Sequence, residues 1–420
     1  MKRLPVLAIS TLMLAPAALL GEQISPNGNP HQETVYVRTP SITNDSEFIN
    51  NGQLEVTNSG TLTNNNTLYN AASGYVANDG HLNNKSVLKN FEGCTIYNGG
   101  ELENLSGGTF TNEGTLENEH YLINRGTLSN SGAWSDGIVP GAWLMSWGTL
   151  INTHILTNTG KLTNTTSNDS KGGHLYNIAG GTINNYGMLI NESGGKLLNA
   201  GTLNNAVGGS LTNNGTIDTV HGTFTNNGTL KGNGAIKGSY TDHGHTKPGN
   251  SAGVMTIEGE YFKVEGSKEI ELGGHFDGGG DKLSTEHDWL DVTGNVELAG
   301  SLDVLLIDDF ELSDGMSFNF LRVGGTLTGQ YMGLGEGGLV GNFGGHDLFI
   351  TYAGGDGNDV TLFTVPEPIT MLSWPMLAGL AIMMRRRRKT ANRQDIYRRR
   401  LDAVPRGFPA SCLRRFVCDG

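Results

Sequence analysis

Residues Gly195–Gly215 read GKLLNAGTLNNAVGGSLTNNG. Each unit is glycine, any residue, an apolar residue, any residue, asparagine: Gly195-Lys-Leu197, Gly201-Thr-Leu203, Gly209-Ser-Leu211. The glycines at 173, 181, 187, 195, 201, 209 and 215 are spaced alternately by eight and six residues. Such spacings are too short for helices of ordinary length. They suit strands of about three to five residues joined by tight turns. Thr and the apolar residue favour extended backbone, while Gly and Asn tolerate the positive φ that sharp corners demand.

The same unit recurs outward from this stretch, at Gly60-Thr-Leu62, Gly108-Thr-Phe110, Gly114-Thr-Leu116, Gly126-Thr-Leu128, Gly181-Thr-Ile183, Gly187-Met-Leu189 and Gly215-Thr-Ile217. Dense short repeats of this kind predict a β-solenoid over residues 60–237. Three units make one rung of 20–22 residues, as in a three-sided right-handed parallel β-helix. One apolar side chain per unit points inward and stacks on its counterpart in the next rung. Asn side chains at the corners can form ladders, each amide bonded to those above and below. A disordered Gly/Asn-rich segment shares this composition, but an apolar residue every six to eight positions argues for order. At about 4.8 Å per rung, the repeats predict about nine rungs and a rod of about 43 Å.

One insertion breaks the rhythm. Ser131–Trp147 carries Trp134, Trp143 and Trp147, three of the chain's five Trp. Insertions in solenoids become loops on one face. These indoles either stack on sugar rings or pack on the flank of the rod. Beyond Lys237 the pattern lengthens and alternates, as in Trp289–Gly294 and Val296–Leu305. Residues 238–364 read as a wider continuation that caps the solenoid, and residues 22–59 as an N-terminal cap. The capping region resembles the C-terminal part of autotransporter passenger β-helices.

Two short constellations suggest chemistry. Asp242-His243-Gly244-His245 could supply metal ligands or form a solvated turn. Gly354-Gly-Asp-Gly-Asn-Asp359 resembles one copy of the calcium-binding nonapeptide of RTX proteins. Those sites hold each ion between stacked copies, so a single copy reads as a tight acidic turn. No metal site, cofactor or catalytic residue is assigned. Nucleophile elbow, phosphate loop and zinc spacing are all missing from the sequence.

Residues 1–21 have the form of a secretory signal peptide: Lys2 and Arg3, then an apolar run to Leu20, with Gly21 at the cleavage site. Positions 385–420 hold 12 basic and 3 acidic residues, and residues 4–384 hold 14 basic and 38 acidic. So acidic a body argues against nucleic acid or anionic lipid as partners. Cys94 is alone in that body, which rules out an internal disulfide there; Cys412 and Cys418 lie in the basic tail, residues 390–420.

The remaining signal is Val365-Pro366-Glu367-Pro368, the uncharged run Ile369–Met384, and Arg385, Arg386, Arg387 and Arg388. An apolar run closed by arginines is a stop-transfer pattern. Sixteen helical residues reach about 24 Å, short of a hydrocarbon core of about 30 Å. Motif, short transmembrane helix and arginine cluster together resemble the PEP-CTERM sorting signal of Gram-negative bacteria. That resemblance implies recognition by exosortase, a membrane cysteine transpeptidase-like enzyme, and delivery from the inner membrane to the cell surface or exopolysaccharide matrix. It covers residues 365–389 only. Members of the family end soon after the arginines, whereas here 31 further residues follow.

The expectation is an exported, non-catalytic, structural or adhesin-like protein of the surface or matrix, with exopolysaccharide as a possible partner. The alternative is a carbohydrate-active β-helix enzyme, a polysaccharide lyase or hydrolase. Such an enzyme should gather carboxylates in a groove, and stacking of rungs would conceal their spacing in sequence.

Overall fold

The computed structural model describes residues 22–23, 29, 33–38, 41–131, 143–165, 173–281 and 284–365. The described residues are all-β, with one short 3₁₀ turn at Gly278–Gly280 and no α-helix. Four-residue strands follow one another around three parallel sheets, each strand pairing with those one rung before and after it. The first sheet holds strands such as Thr61–Asn64, His81–Asn84 and Lys196–Asn199. Glu47–Asn50, Thr202–Asn205 and Thr223–Asn226 lie in the second; Thr34–Val37, Ser210–Asn213 and His245–Pro248 lie in the third. Sheets two and three each contain thirteen strands, a stack of about 58 Å at about 4.8 Å per rung. The parallel ladders therefore begin before residue 60 and run past 237.

The alternation of six and eight comes from two kinds of corner. Thr202–Asn205 reaches Ser210–Asn213 through four residues, whereas Lys196–Asn199 reaches Thr202–Asn205 through two. In the four-residue corner Gly208 sits at φ +82° with open space around it, so conformation selects glycine. In the two-residue corner a Cβ on Gly201 would lie 2.1 Å from the Gly181 carbonyl oxygen of the rung below. Close approach of rungs, rather than positive φ, selects that glycine.

Within a strand the second and fourth side chains share a face, and both point inward. Leu203 and Asn205 are each fully buried, and Thr202 is exposed. The interior thus combines stacked aliphatics with stacked amides. In the second sheet, Nδ2 of Asn29, Asn50, Asn70, Asn90, Asn112, Asn130, Asn158, Asn185 and Asn205 each donates to Oδ1 of the next asparagine, ending at Asn226, over 2.7–2.9 Å. Asn44 to Asn199 form a similar ladder in the first sheet, ending on Thr219 Oγ1 at 3.0 Å. In the third sheet Ser146 interrupts the run: it accepts from Asn118, and a new run starts at Asn164. The second amide hydrogen is used as well; Asn205 also donates to the Thr229 carbonyl at 2.9 Å. Among the described residues, the ladder oxygens without a donor are those of Asn29, Asn44, Asn78 and Asn164, each the first member of its run. Every ladder therefore points its N–H groups toward the C-terminal end.

Removing one amide orphans its neighbours. Asn205→Ala strips a donor from the Asn226 and Thr229 oxygens and an acceptor from Asn185. With unsatisfied buried groups costing about 1–3 kcal/mol each, the expected loss is about 2–4 kcal/mol. Asn204→Ala, facing outward, is expected to change stability by less than about 0.5 kcal/mol. Denaturation midpoints of the two variants test the difference.

The solenoid ends in an antiparallel cap. Ser317–Val323 pairs with Asp359–Thr364, which pairs with His346–Gly354, which pairs with Leu339–Phe343. Phe318, Phe320, Leu348, Ile350 and Leu362 close the core there.

Candidate functional site

Outward side chains of the second sheet occupy the first and third position of each strand. From Thr109–Asn112 to Thr223–Asn226, six consecutive rungs, these are Thr109 and Thr111, Thr127 and Ser129, Ile155 and Thr157, Thr182 and Asn184, Thr202 and Asn204, Thr223 and Thr225. None carries a charge. They form two columns about 7 Å apart with a repeat of about 4.8 Å, over about 24 Å. Some bond along the column: Thr223 Oγ1 donates to Thr202 Oγ1 and Asn204 Nδ2 to Asn184 Oδ1, both at 3.4 Å. The other outer faces are more mixed, with Glu101, Glu103 and Lys196 on the first sheet and Glu117, Lys231 and Glu269 on the third.

A second polar feature lies inside the rod. The amide ladder of the second sheet ends on Asp242, whose Oδ1 accepts from Asn226 Nδ2 at 2.8 Å and from the Gly244 amide at 3.1 Å. Oδ2 accepts from Thr246 Oγ1 at 2.7 Å, Lys263 Nζ at 2.9 Å and Tyr261 OH at 3.0 Å. Ten aligned amides present their positive end to this carboxylate, as a helix N-terminus does to an anion. Burial works against the charge of Asp242, but the two lysines and these donors hold its pKa below the usual value. Lys268 is fully buried beside it, 4.6 Å from the centroid of the Tyr261 ring, and among the described residues its Nζ has no hydrogen-bond partner. Burial, opposed by Asp242, pushes Lys268 down to about 7. Asp288, buried and accepting from the Gly253 and Glu271 amides, is pushed up to about 8 by its burial.

Those two groups bend the stability profile. Between pH 4 and 8 the folded chain holds a proton on Asp288 that the unfolded chain lacks, so stability falls as pH rises. Between pH 7 and 10 the unfolded chain holds a proton on Lys268 that the folded chain lacks, so stability rises with pH. The melting temperature is expected to increase from pH 8 to pH 9.5, and Lys268→Met to flatten that increase. An unaltered slope in the variant would contradict the assignment.

Asp242 is the buried end of a ladder, while His243 and His245 face outward. His243 Nδ1 lies 3.4 Å from Glu265 Oε1. Among the described residues no three His, Cys, Asp or Glu side chains are grouped to hold a metal. Gly354–Asp359 is the turn of a hairpin in the cap, and Asp359 accepts from the Val323 amide at 2.9 Å and Asn319 Nδ2 at 2.7 Å. Trp147 is half-buried at a corner, and Trp134 lies outside the described residues. Val365 is exposed at the end of the described residues; Pro366, Glu367, Pro368, the run 369–384 and Arg385–Arg388 lie outside them, as does the stretch 1–21. The sequence reading missed the buried Lys263 and Lys268. Their signal is a lysine at the inward phase of an alternating strand, as in Tyr261-Phe-Lys263.

No family model and no curated protein matches this chain. Among solved structures it is similar to the crystal structure of a TibC-catalysed hyper-glycosylated TibA fragment, with 14% identity and a TM-score of 0.24, over 74% of this chain and 95% of that one. At that score the likeness carries no argument.

Proposed function

We propose that this chain is an exported protein of the cell surface or exopolysaccharide matrix, structural or adhesin-like, whose second sheet lies against neutral polysaccharide. The observation that carries this reading is the uncharged hydroxyl and amide face, six rungs long, on a chain of net charge −13. Sugar hydroxyls can exchange hydrogen bonds with Thr, Ser and Asn without burying a charge. Each contact is weak, and repetition along the rod multiplies them. In this reading the solenoid is right-handed, following the usual hand of parallel crossovers. Residues 1–21 direct export. The run 369–384 with Arg385–Arg388 holds the chain in the inner membrane until an exosortase-like enzyme cuts near Val365-Pro366-Glu367-Pro368, where proline keeps the backbone extended and accessible.

Co-sedimentation of the full-length protein with insoluble neutral polysaccharide tests the face. The triple variant Thr127→Asp, Thr182→Asp, Thr223→Asp, whose charges stand two rungs apart, should lose binding with little change in melting temperature; retained binding would overturn the reading. Sorting has its own test. Replacing Pro366 and Glu367 with Ala should leave full-length protein in the inner membrane. Shortening and export as in the wild type would make the stretch a linker.

A further inference from the structure

Where the second sheet turns into the third, the corner glycines Gly228, Gly244 and Gly266 of three successive rungs lie one above another. Together with His245, Ser267 and Ser301 they line a shallow, open depression of about 540 Å³. Those three side chains occupy one outward column of the third sheet, in register His245–Ser267–Ser301. Ser267 Oγ is within hydrogen-bond distance of His245 Nδ1. On the far side of the ring, His245 Nε2 lies 3.6 Å from Glu269 Oε2. Glu269 is itself fixed, its Oε1 accepting from Lys247 Nζ at 2.5 Å. The Glu269 side chain is 13% exposed and that of His245 26%, so both are sheltered, and His245 and Ser267 border the depression.

A hydroxyl bonded to an imidazole, with a carboxylate 3.6 Å from the opposite ring nitrogen, is close to the arrangement by which a weak nucleophile is activated. The polar ladder on the outer face of a strand could produce such neighbours with no chemical role. Two things set this set apart from the rest of the column. The three groups are ordered nucleophile, base and neighbouring acid, and the first two border a depression whose corner glycines lack side chains, leaving room for a substrate carbonyl. We propose that Ser267, His245 and Glu269 form a hydrolytic site for carboxylic esters, and that its substrate is an acyl ester carried on neutral polysaccharide. The substrate half rests on the reading of the second sheet as a polysaccharide-binding face, which the depression adjoins at the corner Asn227–Gly228.

The steps balance. Ser267 Oγ attacks the ester carbonyl while His245 Nδ1 takes the hydroxyl proton. The tetrahedral intermediate collapses, the C–O bond to the sugar breaks, and the alcohol leaves with that proton. A water molecule, deprotonated by the same nitrogen, then attacks the acyl-serine, and the acid departs with Ser267 restored. One ester and one water give one alcohol and one acid, without a co-reactant. Burial and the neighbouring Lys247 hold His245 below its ordinary pKa, which keeps the ring in its basic form at neutral pH.

The full-length protein is treated with a biotinylated fluorophosphonate and the labelled residue is mapped by mass spectrometry, beside hydrolysis of p-nitrophenyl acetate. Labelling is expected at Ser267 and not at Ser210, an outward serine on the same sheet. Ser267→Ala and His245→Gln are each expected to lower the rate of ester hydrolysis by about 100-fold or more at an unchanged melting temperature. Glu269→Gln should lower it by about 10-fold and shift the pH profile. Equal labelling of Ser267 and Ser210, or hydrolysis unchanged in Ser267→Ala, would overturn the site. Release of acetate from an acetylated neutral polysaccharide tests the substrate. If p-nitrophenyl acetate is cleaved at Ser267 while the acetylated polysaccharide is not, the substrate assignment falls and the site stands.

Discussion

Lys263→Met is expected to destabilise the rod by about 3–5 kcal/mol, because it leaves the Asp242 carboxylate buried without its nearest cation. Asp242 and Lys263 are joined at 2.9 Å with both side chains at 0% exposure. Lys263 also donates to the Gly244 carbonyl at 2.6 Å, a bond the variant loses, leaving that oxygen with the Ser267 amide alone. Asp242 then has only Lys268, which makes no hydrogen bond to it, to balance its charge; neutralising the carboxylate or drawing in water disrupts the packing of Tyr240 and Tyr261 around it. The double variant Lys263→Met, Asp242→Asn should recover most of the loss. Asparagine at 242 extends the ladder by one rung, its oxygen accepting from Asn226 as Asp242 does, and Lys268, with no Asp242 to favour its charged form, is left neutral. Denaturation midpoints of the single and double variants measure the coupling. A double variant no more stable than the single one would show that the ion pair is not what holds this rung.

The second large effect concerns the inward phase of the repeat. Leu203→Asp places a carboxylate among stacked aliphatics, between Ile183 below and Phe224 above. Burying a charge there costs several kcal/mol, on the order of 5 kcal/mol after relaxation. Thr202→Asp, one residue earlier and exposed, should change stability by less than about 0.5 kcal/mol. In a strand the two side chains leave opposite faces, so a single step in sequence separates a core position from a surface one. Equal melting temperatures for the two variants would mean the phase is inverted.

Much of the fold is legible in residues 195–215, because rung length, strand length and corner length all repeat there. The glycines mark the corners, and the second and fourth residues of each strand mark the inside. That Asn joins Leu on the inside follows from the two-residue period of a strand. The full extent of the solenoid is harder to read. After Lys237 the strands lengthen, to six residues in Ser267–Leu272, and the corner glycines lose their regular spacing. The first rungs, such as Thr34–Val37, lack the asparagine that marks the later ones.

The polar sites are less legible for a different reason. His245 and Ser267 are 22 residues apart, and Asp242 and Lys263 are 21 apart. Nothing local connects them. The link is the rung repeat of 20–22 residues, which, applied past Lys237, would have brought each pair into register. The neutral face of the second sheet hides similarly, since Thr and Asn occur on every side and only sorting every third strand reveals two outward columns that lack charge over six rungs. The proposed sorting signal stands apart: it is read from a contiguous motif, and its test lies in cells.

The interior amide ladders are the physical basis of the fold, and side-chain hydrogen exchange addresses them most directly. With asparagine selectively labelled with ¹⁵N, the Nδ2 hydrogens of the 24 buried asparagines among the described residues should exchange slowly. Those of exposed asparagines such as Asn65 and Asn66 should be lost at once. Within a ladder, protection should be greatest at central members such as Asn112 and Asn130, because the amides at either end open first. Rapid exchange at every asparagine side chain would contradict an interior built from stacked amides.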